Sequence, residues 1–167
     1  MDSLASEGYR IRPFRVEDLE RVMEINFECL PENYSPSFYL DLHKRFPETF
    51  LVAELDGRIQ GYVMSRIEKG FSKFHMLKPI RLCHIVSIAV REPYRRRGIG
   101  TELLRCAMRN GREVYEAEEC YLEVRITNEP AIRLYQKLGF VRVKRNVAYY
   151  MDGEDAWVYA KPLNEIP

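Results

Sequence analysis

The sequence predicts one mixed α/β domain with a mainly antiparallel sheet and flanking helices. Three observations lead there. Asp56-Gly57 and Asp152-Gly153 each stand between strand-like runs. An Asp-Gly pair supplies the positive φ values of a tight hairpin turn, which makes antiparallel neighbours. The stretch from His84 to Val90 is close to continuously apolar over strand length, as in a strand covered on both faces. It runs on into an amphipathic helix and a further strand-like run, a unit that closes as a right-handed parallel crossover.

Taken in order, Tyr9 to Arg12 alternates apolar and basic residues and reads as a first strand. Asp18 to Leu30 reads as a helix with Leu19, Val22, Met23, Phe27 and Leu30 on one face. Pro31 stops it, because the residue before a proline is pushed out of helical geometry. A second helix is expected near Ser37 to Arg45. Thr49 to Leu55 and Arg58 to Ile67 form the hairpin around Asp56-Gly57, and residues 70–80 read as a loop. The central strand His84 to Val90 follows. Gly98 to about Arg112 is helical, with Leu103, Leu104, Ala107 and Met108 on one face. Cys120 to Arg125 is a strand, and Glu129 to Leu138 a helix closed by Gly139. Phe140 to Tyr150 and Ala156 to Ala160 make the last hairpin. The expected order is β-α-α-β-β-β-α-β-α-β-β, with the domain over residues 9–163 and tails at 1–8 and 164–167.

Composition narrows the function classes. Lys plus Arg (26) nearly balances Asp plus Glu (25), unlike a dedicated nucleic-acid binder. The longest apolar stretch, around Leu82 to Val90, is too short to span a bilayer, and Met1-Asp2-Ser3-Leu4 lacks the basic and apolar regions of a signal peptide. Cys29, Cys83, Cys106 and Cys120 show no metal-ligand spacing, so no metal is expected. The reading is of four buried, reduced thiols in a cytoplasmic protein. His43 and His75 read as surface or loop residues.

The most informative segment is Arg95-Arg96-Arg97-Gly98-Ile99-Gly100-Thr101, between a buried strand and a helix. A helix N-terminus carries unpaired N–H groups and the positive end of the helix dipole. Glycines let an anion approach that backbone, and arginines add charge for further phosphates. The spelling is neither a Walker A loop nor a dinucleotide fingerprint, whose third glycine position is Leu103 here. On these residues alone, a solvated basic turn capping a helix explains the segment as well as a pyrophosphate cradle does.

A second segment runs from Asn128 through Ala131, Leu134, Tyr135 and Gly139 to Phe140. Together the two resemble the GNAT superfamily of N-acetyltransferases. Arg95, Gly98 and Gly100 match its (Gln/Arg)-x-x-Gly-x-(Gly/Ala) motif, and the Asn-x-x-Ala-x-x-Leu-Tyr-x-x-x-Gly-Phe pattern matches in full. The resemblance covers roughly residues 9–162. It implies acetyl-CoA as cosubstrate and a parallel strand pair that splays to admit its pantetheine arm. Ile88, Ala89 and Val90 would then contact that arm, with the Val90 N–H polarising the thioester carbonyl. The pyrophosphate would lie on the amides of Arg96 to Thr101, and Asn128 and Tyr135 would border the cosubstrate.

Three more features resemble archaeal protein N-terminal acetyltransferases, relatives of the NatA catalytic subunit and of the ribosomal-protein alanine acetyltransferase. They are Leu30-Pro31-Glu32-Asn33-Tyr34, Tyr121-Leu122-Glu123-Val124-Arg125, and Tyr149-Tyr150-Met151-Asp152-Gly153-Glu154-Asp155-Ala156. The resemblance implies a slot for a protein or peptide N-terminus, walled by Leu30, Pro31, Glu32 and Tyr34 on one side and Tyr149 and Tyr150 on the other. Eukaryotic NatA catalytic subunits have Ala where this chain has Gly100, which leaves substrate preference open. Docking to a ribosome or an auxiliary subunit would be an accessory property. His84 and Glu123 are candidate bases, each with a plain alternative: His84 as a hydrogen-bonded core residue, Glu123 as a partner of Arg125. Tyr135 is the candidate acid for the leaving thiolate, against an ordinary core tyrosine. A lysine or small-amine acetyltransferase, or a non-catalytic acyl-CoA-binding module, are the competing functions.

Overall fold

The computed structural model describes residues 3–4 and 8–165. Its strands are β1 (Ser3–Leu4), β2 (Tyr9–Pro13), β3 (Phe50–Leu55), β4 (Arg58–Phe71), β5 (Pro79–Val90), β6 (Glu119–Arg125), β7 (Val141–Asn146) and β8 (Ala156–Pro162). The helices are α1 (Leu19–Cys29), α2 (Pro36–Arg45), α3 (Ile99–Tyr115) and α4 (Glu129–Lys137). All strands share one sheet in the order β1-β2-β3-β4-β5-β6-β8-β7. Every neighbouring pair is antiparallel except β5–β6, the two strands joined by the α3 crossover. The expected tails lie largely outside the described residues. Within them Ser3–Leu4 pairs with β2, and Leu163–Glu165 forms a short 3-10 turn.

The sheet is covered on both faces. Helices α3 and α4 pack Leu103, Leu104, Ala107, Ile132 and Tyr135 against Val63, Cys83, Ile85 and Leu122. Helices α1 and α2 pack Val22, Ile25, Tyr39 and Leu42 against Phe50, Val52, Tyr62 and Met64 on the other face. A fully buried leucine such as Leu103 stabilises the fold by about 2 kcal/mol. The Asp56-Gly57 turn has the predicted backbone, with φ of 50° and 78°.

The register of β5 positions the site. β5 pairs with β6 only at Leu82↔Glu119, Cys83↔Cys120 and His84↔Tyr121. Immediately beyond, Met64 faces Ser87 while Ser65 faces Ile85, so Val86 is an extra residue bulged out of β5. A bulge bends its strand and increases local twist. From Ile85 to Val90, β5 therefore keeps β4 as neighbour and leaves β6, which is the predicted splay.

Several expectations are corrected. The loop placed at residues 70–80 shrinks to 72–78, because β4 and β5 run on to Phe71 and Pro79 as a two-stranded ribbon. The Glu119 carboxylate anchors its tip by accepting from Lys73 N (2.7 Å) and from the Ser72 hydroxyl. Strand β7 ends at Asn146 rather than Tyr150. There Asp155 accepts from Ala148 N at 2.7 Å and from Arg145 Nε at 2.7 Å, turning residues 147–155 into a broad loop. Phe27 is not on the packed face of α1: it is 78% exposed, and the turn buries Ile25 and Asn26 instead. His43 is half-buried with its ring edge on Phe14, whereas His75 lies exposed in the 72–78 loop. All four cysteines are free, but Cys29 is only half-buried.

Candidate active site

Three adjacent strands put one row of polar side chains on the α1–α2 face. Arg66 of β4 pairs with His84 of β5, and His84 with Tyr121 of β6. Two residues further along β4 and β6, Glu68 and Glu123 sit on opposite diagonals of that row, the distance at which long side chains meet. His84 is buried between them, with Nδ1 2.8 Å from Glu68 Oε2 and Nε2 2.6 Å from Glu123 Oε1. The Tyr121 ring stacks on the imidazole with centroids 4.2 Å apart, and its hydroxyl donates to Glu68 Oε1. Arg66 Nε donates to Glu68 Oε2 at 2.6 Å.

These contacts set the charge states. Burial disfavours a charged imidazole, but the hydrogen bonds to Glu123 and Glu68 outweigh it and lift His84 from 6.5 to about 9. Burial likewise works against Glu68 as an anion, yet donation from His84, Tyr121 and Arg66 holds it down at about 2. At neutral pH the ring is therefore an imidazolium between carboxylates, not the free imidazole expected of a proton acceptor. Sequence reasoning singled out His84 and Glu123 and the structure joins them, but it missed Glu68, Tyr121 and Arg66 as their partners. No local signal marked them: Glu68 lies just past the expected strand end at Ile67, and only the longer β4 and its register bring it to His84.

Beyond the bulge, a cleft of about 1030 Å³ runs through the splay from the end of α1 to the start of α3 and α4. It is lined by Ile88, Ala89 and Val90, by Arg95, Arg96, Gly98, Ile99, Gly100 and Thr101, and by Asn128 and Tyr135. Arg97 is the predicted cosubstrate residue that the lining lacks; its guanidinium lies over the Tyr94 ring at 5.5 Å. Cys29, Leu30 and Leu134 line the cleft although the sequence did not mark them for it. Helix α3 begins at Gly98, with φ of 81° and no side chain capping the first amides, so those N–H groups remain available to an anion. A Cβ on Gly100 would meet nothing closer than Leu134 Cδ2 at 3.5 Å. Arg91 N donates to Gln60 O of β4, so the alternation of a strand turns the Val90 N–H the other way, into the splay. The Val90 carbonyl accepts from Arg95 Nε at 2.7 Å. Asn128 caps α4 by accepting from Ala131 N. Burial raises the Tyr135 phenol well above its ordinary value, so it keeps its proton.

The loop between α1 and α2 and the loop at 147–155 close the α1–α2 face over the His84 row. Asn26 donates to Glu32 O at 3.1 Å and Asn33 donates back to Asn26 at 2.9 Å, fixing the first loop. Pro31 is exposed at its bend. Tyr34 donates to the bulged Val86 carbonyl at 3.4 Å, and burial followed by the charge of Glu32 pushes its phenol up to about 12. Arg125 ties both loops together. It donates to Glu32 Oε1 at 2.7 Å, Asp152 at 2.8 Å and Glu154 at 2.9 Å, and lies 4.1 Å from the Tyr150 ring. The alternative pairing of Glu123 with Arg125 is thus replaced by a pairing with His84. Tyr149 stands edge-on to Tyr150 and remains 47% exposed. Burial first, then the charges of Glu123, Arg66, Glu68 and Glu32, act on its phenol, so it overlooks the same carboxylates.

Among the described residues no group of acidic, Cys and His side chains could hold a metal, and no helix is long and apolar enough to cross a membrane. Residues 19–140 match the acetyltransferase (GNAT) family profile. An N-alpha-acetyltransferase of Sulfurisphaera tokodaii is 52% identical over 156 residues, 93% of each chain. The catalytic subunit NAA10 of the Arabidopsis thaliana N-terminal acetyltransferase A complex is 38% identical, over 92% of this chain and 77% of that one. The structure of Chaetomium thermophilum Naa20 in complex with a bisubstrate analogue superposes with a TM-score of 0.82 at 30% identity, over 92% of this chain and 86% of that one.

Proposed function

The chain belongs to the acetyltransferase (GNAT) family, and we propose that its two-sided splay is where an acetyl donor and a protein N-terminus meet. The protein is an N-alpha-acetyltransferase: it moves the acetyl group of acetyl-CoA to the free α-amino group of a protein or peptide. One observation carries the mechanism. The strand gap that opens after His84↔Tyr121 adjoins both the cleft at the uncapped start of α3 and the carboxylates around His84.

The first amides of α3 with Arg95 and Arg96 hold the pyrophosphate, and Ile88 to Val90 with Asn128 border the arm that follows. When bound, acetyl-CoA supplies a thioester carbonyl activated for attack by an amine. The Val90 N–H polarises that oxygen. Leu30, Glu32 and Tyr34 against Tyr149 and Tyr150 confine the incoming chain end. Glu123 removes the proton from the attacking amine, either directly or through one water, with His84 fixing its other oxygen. Tyr135, which keeps its proton, donates to the leaving sulfur.

An α-amine suits this modest base. It titrates near ~7.8, against ~10.4 for lysine, so a lysine costs about 3.5 kcal/mol more to neutralise at a given pH. The complex named for the Arabidopsis relative supports contact with an auxiliary subunit as an accessory feature, and the four free thiols support a cytoplasmic setting. The deciding experiment is acetyl transfer to short peptides. Peptides with free N-termini should react at least tenfold faster than the same peptides blocked at the terminus and carrying an internal lysine. Equal or faster reaction of the blocked peptides would refute the α-amine assignment and leave a lysine acetyltransferase.

A further inference from the structure

We propose that Glu68 is a positioning residue of the reaction: it holds the Nδ1–H of His84, so that the Nε2–H is committed to Glu123 Oε1 and Glu123 Oε2 is left to take the amine proton. This rests on the reading of Glu123 as the base.

A proton count carries the argument. The 2.6 Å contact between His84 Nε2 and Glu123 Oε1 and the 2.8 Å contact between Nδ1 and Glu68 Oε2 each require one proton. Glu68 also accepts from Arg66 Nε and from the Tyr121 hydroxyl. With Arg66 donating to Oε2 and Tyr121 to Oε1 it is an ionised acceptor, so the proton on the Nδ1 side belongs to the ring. Glu68 already accepts three hydrogen bonds, two of them on Oε2, which leaves it a poor base. The other proton is shared between Nε2 and Glu123 Oε1, so the ring has no free lone pair to offer the amine. Among the described residues nothing donates to Glu123 Oε2, which makes it the acceptor that the row leaves open.

The charges around the ring come from every neighbouring element. Arg66 and Glu68 reach it from β4, and Tyr121 and Glu123 from β6. Lys73 of the 72–78 loop lies over the Tyr121 ring at 4.3 Å. Tyr149 of the 147–155 loop and Glu32 and Tyr34 of the first loop face the same carboxylates. Arg66 and Lys73 oppose a charged imidazole, and Arg66 is already bound to Glu68. Removing the Glu68 charge therefore weakens the hold on the ring protons.

The test follows the His84 ring by NMR, one of three histidines in the chain, in wild type and in E68Q. The wild-type ring should titrate near 9, in line with its surroundings, and E68Q should bind its proton at least tenfold more weakly. Turnover of a free-N-terminus peptide should fall about 10- to 100-fold in E68Q, the usual effect of losing an orienting partner, with the peptide KM within threefold. The alkaline limb of kcat should move to lower pH, and E68D, which keeps the charge, should recover part of the loss. A wild-type ring that titrates at or below 6.5 overturns the proposal, and so does an E68Q that is more active at neutral pH. The wild-type titration decides the matter even if E68Q fails to fold. E123Q tests the other reading separately. If it keeps its turnover, Glu123 is not the base, and the ring titration in E68Q still decides whether Glu68 governs His84.

Discussion

The charged state of His84 makes stability fall on the alkaline side of neutrality, in a way that can be worked out in advance. The ring titrates at about 9 in the folded chain, against 6.5 when free of its partners. Because the folded value is the higher one, the stabilisation is complete below about pH 6.5 and is lost as pH rises through 9. With those two values the contribution is about 2.5 kcal/mol at pH 7 and close to nothing at pH 10. The depressed value of Glu68 reflects the same hydrogen bond, so the two are not added. For a domain of this length, about 2 to 4 °C of melting temperature accompanies each kcal/mol, which gives a drop of about 5–10 °C. Lysines, tyrosines and thiols also titrate over this range, so the measurement is a difference. Melting temperatures of wild type and H84Q are recorded at intervals from pH 7 to 10, and wild type should lose about 5–10 °C more than the variant. Parallel curves would mean that His84 is already neutral at pH 7, and the electrostatic account of the site would be wrong.

Three further outcomes follow from the same geometry. E123Q should lower kcat/KM by about 100-fold or more, the scale of a lost general base, while acetyl-CoA still raises its melting temperature as it does in wild type. At about 100 times its dissociation constant, acetyl-CoA should stabilise the wild-type fold by roughly 2.7 kcal/mol, read by thermal shift. Gly100→Val should remove most of that gain: a branched side chain would fill the cradle, yet the nearest atoms to a Cβ are at ordinary contact distance, so the variant should fold. Arg125→Ala unties Glu32 from Asp152 and Glu154, and should raise the peptide KM about tenfold while leaving acetyl-CoA binding unchanged in a calorimetric titration.

The sequence alone determined whatever a few neighbouring residues decide. The Asp56-Gly57 turn, the Gly98 start of α3 and the Asn128 cap of α4 are local, because positive φ, unpaired first-turn amides and a capping oxygen involve residues at most a few positions apart. The glycine-rich turn ahead of α3 was legible for that reason, and the family resemblance for the same spellings. Only the tertiary structure decided the rest. Glu68 and Glu123 lie 16 and 39 positions from His84 in the chain, and they meet its ring because strand register places three strands in one row. A single extra residue, Val86, ends the parallel pairing just past that row and opens the splay, and no spelling marks it. The proton that His84 holds is likewise a property of the assembled row. Burial alone would strip the ring of its charge, and it stays charged because the fold brings two carboxylates within hydrogen-bond distance of its two nitrogens.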